Sequence, residues 1–137
     1  MERDPRLEDE FWENLPYDSA TIEAVGKVTD ALDTVEVARG HLYAFHRMTG
    51  TAGREMSEAA DLLEKAGHAT EAQRLRDLFV GRDVIAGRWT FQVVEEYDGL
   101  FYGPFRQFEA EVRDLVGGHR HLHEAALKRS ATGHAAS

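Results

Sequence analysis

From Ser19 onward the apolar side chains recur in alternating steps of three and four, the spacing that places residues on one face of an α-helix. Val25, Val28, Leu32, Val35 and Leu42 form such a stripe, and the pattern predicts a helix from Ser19 to about Met48. "GTAG" at 50–53 predicts a break, and a short second helix is expected from Arg54 to Ala66, with Met56, Ala59, Leu62 and Leu63 on its inner face. Gly67 then suits a left-handed C-terminal stop.

"TEAQ" at 70–73 has the spacing of a capping box, in which Thr70 accepts from the amide three residues on while Gln73 reaches back. It predicts a third helix with Leu75, Leu78, Ile85 and Trp89 on its stripe, liable to a break near Gly81 or Gly87. "DGLFYGP" at 98–104 predicts a turn, with Pro104 at a helix start, where a missing amide hydrogen loses nothing. A fourth helix carries Phe105, Phe108, Val112, Leu115 and Leu122, with a weak point at Gly117 and Gly118. No alternating, β-branched run is long enough to suggest a sheet. The expectation is an all-α domain over 18–130, an antiparallel four-helix bundle whose second helix is short. An irregular N-terminal arm over 1–17 and a loose, flexible tail over 131–137 flank it.

Composition narrows the function classes. Twenty-five acidic residues against 16 basic ones set a net charge of -9, which opposes a nucleic acid or an anionic membrane as partner, because phosphate binding relies on clustered Lys and Arg. The chain has no cysteine, so disulfides, thiolate nucleophiles and Cys-based metal sites are excluded, and a cytoplasmic protein is expected. The acidic start "MERDPRLEDEFWENL" does not resemble a signal peptide, and no apolar run approaches the roughly 18 residues of a membrane span.

Extended by the same steps, the stripes acquire polar members: Arg39 and His46 on the first helix, Arg82 and Glu96 on the third, His119 on the fourth. Glu36 lies one turn before Arg39, at pairing distance. Burying unpaired charge costs several kcal/mol, so these residues predict mutual pairs or a wet seam between helices. Glu36, Arg39, His46, Arg82, Trp89 and Glu96 are therefore the candidate binding residues of a polar pocket or seam. Phe11, Trp12 and Leu15 in the arm, with Phe101 and Tyr102 in the aromatic stretch "WTFQVVEEYDGLFYGPFRQF", are the candidate interface residues, since aromatics with nearby Arg favour interface cores.

"GGHRHLHE" at 117–124 raises the question of a metal. On a continuous helix His119 and His123 stand one turn apart and could clamp a divalent ion, whereas His121 points away. A functional site needs a third ligand from elsewhere, and no glutamate in the chain has a histidine three positions later, as the ferritin-like di-iron pattern requires. No Gly-rich phosphate loop or serine elbow is present. The expected function is self-association, as a homodimer first, or binding of a protein or small ligand, without a cofactor. The alternatives are a metal-binding or metal-dependent bundle using His119 and His123, and a ligand-responsive regulator.

Overall fold

The computed structural model describes residues 2–132; the tail expected over 131–137 lies mostly outside them. The described chain is helical, without a strand, apart from an isolated bridge between Ile85 and Arg88. The helices are α1 (Asp9–Glu13), α2 (Ser19–Lys65), α3 (Ala69–Leu78), α4 (Thr90–Tyr97), α5 (Gly103–Arg113) and α6 (Leu122–Ala131). Residues Met1–Glu36 with Gly103–Ser137 form one compact unit and Val37–Tyr102 another.

The expected break at "GTAG" does not occur: α2 runs through it for 47 residues. The cause is phase. The steps of three and four continue through Leu42, His46, Thr49, Gly53, Met56, Ala60 and Leu63, so a single helix keeps one face inward on both sides of the glycines. Each glycine costs about 1 kcal/mol relative to alanine, which a cooperative helix of this length absorbs. Asp18 starts α2 by accepting the Thr21 amide at 2.7 Å. A Schellman motif ends it, with Gly67 at φ +91° and the His68 amide bonded to the Leu63 carbonyl at 2.8 Å.

That tight exit cancels the expected capping box. The chain enters α3 at once, the Ala72 amide bonds the His68 carbonyl, and Thr70 already lies inside the first turn. Gln73 donates instead to Asp77 at 2.7 Å. Gly81 and Gly87 both adopt positive φ, so residues 79–89 form a connecting loop rather than a continued third helix.

The turn expected at 98–104 is a π-helical turn over Asp98–Tyr102 that joins α4 to α5 without leaving the helical path. Pro104 explains it: the ring removes an amide donor and collides with the carbonyl one turn back, and a widened turn relieves both. Gly117 and Gly118 then terminate the helical run in left-handed conformations, with the Gly118 amide on the Arg113 carbonyl at 2.8 Å.

The first unit has a defined core of Ile22, Val25, Val116 and Leu122, against which Phe11, Trp12, Leu15, Tyr17 and Val112 pack. The arm is more ordered than expected: Pro5–Leu7 form a 3-10 turn before α1, and the Trp12 Nε1–H donates to the Arg6 carbonyl at 2.8 Å. Gly26 lets α2 meet α6 closely, because a Cβ there would lie 2.6 Å from that of His123. Gly26→Ala is expected to cost about 1–3 kcal/mol in chemical denaturation through this overpacking.

Candidate functional site

In the second unit, the polar members of the α2 stripe find partners on the helical segment opposite. Arg39 grips Asp98 with two hydrogen bonds, 2.8 Å from Nε and 3.1 Å from Nη2. Its guanidinium also lies 4.7 Å from the Tyr43 ring centre and 4.5 Å from that of Tyr102. Planar, bidentate and stacked contacts together are ones a guanidinium makes and an ammonium does not. About two turns further along α2, His46 Nδ1 lies 2.7 Å from the Thr90 hydroxyl. The partners descend from the π-helical turn to the start of α4 as the α2 residues ascend.

Hydrogen bonding from Arg39 holds the Asp98 carboxyl below the usual carboxylate range. A depressed folded-state pKa contributes stability that is complete above the unfolded value of about 4 and disappears as pH falls through the folded value. Wild type is accordingly expected to melt above Asp98→Asn at neutral pH, with the gap closing below about pH 4 in thermal melts.

The remaining candidates scatter. Glu36 belongs to the first unit, whereas Arg39 belongs to the second and pairs there with Asp98. Arg82, expected on a helical stripe, sits in the exposed 79–89 loop and donates to the Leu78 carbonyl. Trp89 precedes α4, exposed, its ring 5.2 Å from that of Phe91, and its amide donates to the Gln92 side chain at 2.9 Å. Glu96 pairs with Arg88 on the surface. Phe101 is exposed beside Tyr97, and Phe11, Trp12 and Leu15 pack on the core of their own unit.

The histidines do not share a helix turn. α6 begins only at Leu122, so His119 lies outside it, edge-on to Phe11 at 5.2 Å, while His123 packs at Gly26. His121 between them has φ +58°. Among the described residues no group of three His, Asp or Glu side chains is placed to hold a metal ion. No helix among them is long and apolar enough to cross a membrane.

Comparison with protein-family models, curated proteins and solved structures finds no match. The two units themselves offer the strongest contrast. The first has its apolar core; the second buries three apolar side chains, Ala60, Ala72 and Val94. Thirteen of its large apolar side chains are exposed, among them Phe45, Met48, Trp89, Phe91, Phe101 and Leu100, the last at 79 %. The units also differ in charge: the second carries ten acidic residues against eight basic, the first fifteen against eight.

Proposed function

We propose that the chain is a self-associating helical subunit, in which two copies pair through the faces of Val37–Tyr102. α2 and α4 of each copy would then close into an antiparallel four-helix bundle with its core at the seam. The shortage of buried apolar surface in this unit carries the proposal. Thirteen half-exposed side chains, each with a full surface on the order of 150–200 Å², together expose on the order of 1,000 Å² spread over α2, α3, the 79–89 loop, α4 and the π-helical turn, and the roughly 800 Å² per partner of a stable interface would draw on most of it. Monomers rarely expose apolar patches beyond a few hundred Å².

A second copy suits this face better than a charged partner, since the unit is close to neutral while the rest of the chain is strongly acidic and repels itself. Arg39 with Asp98, and His46 with Thr90, hold α2 against the opposing segment within each copy and so fix the register of the face that copy presents. The absence of cysteine suits a cytoplasmic setting.

Light scattering after gel filtration on surface variants tests the interface. Phe91→Glu and Leu100→Glu each force a carboxylate into the seam and are expected to weaken the dimer about 100-fold. Leu115→Glu, at an exposed apolar position of the first unit, is expected to leave it unchanged. Equal behaviour of all three variants would contradict the assignment of this face.

A further inference from the structure

The first unit contains a cleft of about 410 Å³ between the N-terminal arm, the start of α2 and α6. Its volume falls within the range of small-molecule sites, which pair an apolar wall with a few polar groups. Trp12, Leu15, Ile22 and Leu127 supply the wall, and Glu23 and His123 stand at the polar side. The walls are preformed: Ile22 belongs to the core, Trp12 and Leu15 pack on that core, and the close approach at Gly26 fixes His123. A site that needs no ordering on binding loses little affinity to entropy.

The charges around it select the ligand. Glu23 has no hydrogen bond or ion pair among the described residues. Arg129, which also lines the cleft, is already held by Asp9 at 2.8 Å and lies over the Trp12 ring at 5.4 Å. The first turn of α2, which elsewhere would attract an anion, is occupied by the Asp18 carboxylate on the Thr21 amide. Asp18 adds negative charge immediately before Ser19, itself part of the cleft lining. The unit as a whole is acidic, which raises the local concentration of cations.

We propose that this cleft binds a small amphipathic organic ammonium ion, its apolar body against Trp12, Leu15, Ile22 and Leu127 and its charged head at Glu23. The site lies wholly within the first unit and does not rest on self-association.

The chain has two tryptophans, so a ¹⁵N-labelled sample shows two indole signals, and Trp89→Phe assigns the Trp12 one. Titration uses 2-phenylethylammonium, with phenylacetate as its charge-reversed counterpart. The ammonium ion is expected to shift the Trp12 indole signal saturably at millimolar concentration, and phenylacetate is not. Glu23→Gln, on an exposed helix face, is expected to weaken binding about threefold to fivefold, the worth of a partly solvated ion pair. Ser130→Phe, which fills the cleft from α6, is expected to abolish the shift. No saturable shift with the ammonium ion, equal binding of phenylacetate, or unchanged binding in both variants would overturn the proposal.

Discussion

Glu109→Ala is expected to destabilise the protein by about 3–5 kcal/mol, the cost of removing one partner from a buried ion pair. Glu109 is 3 % exposed, accepts a hydrogen bond from Thr29 Oγ1 at 3.0 Å and one from Arg113 Nε at 2.8 Å, and faces α2 from α5. Arg113 is itself largely buried and also donates to the Gly118 carbonyl at 3.2 Å. Without the carboxylate, a guanidinium would remain in a poorly hydrated site with one backbone partner. Replacing both charges, as Glu109→Leu with Arg113→Met, is expected to recover most of the loss, because apolar groups of similar volume need no counter-charge. Urea unfolding of both variants at one chain concentration checks this. A single variant within about 1 kcal/mol of wild type would show that the pair is not closed off from water.

Trp12→Ala is expected to cost about 3 kcal/mol, the lower end for removing a large aromatic from a core, because the indole is partly exposed. The ring packs against the core of Ile22, Val25, Val116 and Leu122 and meets Phe11 edge-on at 5.5 Å. Arg129 covers it from above while holding Asp9, so the ring ties the arm to α6 as well as to α2. Trp12→Phe keeps the burial but loses the bond to the Arg6 carbonyl, and should cost about 1 kcal/mol. Circular dichroism against urea separates the two. If Trp12→Ala cost under about 1 kcal/mol, the arm would not belong to the core of its own unit.

The helical class was legible from period alone, and so was the inward line of α2, on which Arg39 and His46 lie. The break placed at residues 50–53 was misread because glycine is a local signal, whereas the in-phase positions Gly53, Met56, Ala60 and Leu63 carry the longer-range one. In the fourth stripe Phe105, Val112 and Leu122 do turn inward, whereas two other members were displaced by one residue. Hydrophobicity favoured Phe108 and Leu115, yet both are exposed, and the buried line runs through Glu109 and Val116. A glutamate reads as a surface residue unless its partner is known, and Thr29 lies 80 positions away in the chain. The i, i+4 spacing of Glu109 and Arg113 was the available clue.

Asp98 was missed for a related reason. It falls in a stretch that reads as a turn, and its pairing with Arg39 depends on the π-helical turn, which follows from Pro104 and has no signature in hydrophobic period. The histidines of "GGHRHLHE" show the reverse error, where a spacing that is suggestive on a helix lost its meaning once Gly117 and Gly118 ended the helix before it.

Self-association through Val37–Tyr102 is most directly tested by native mass spectrometry of the untagged chain at micromolar concentration. The proposal expects a species of twice the chain mass that dissociates in Phe91→Glu. A wild-type spectrum dominated by the single-chain mass would contradict it and leave the exposed aromatic face of this unit without its second copy.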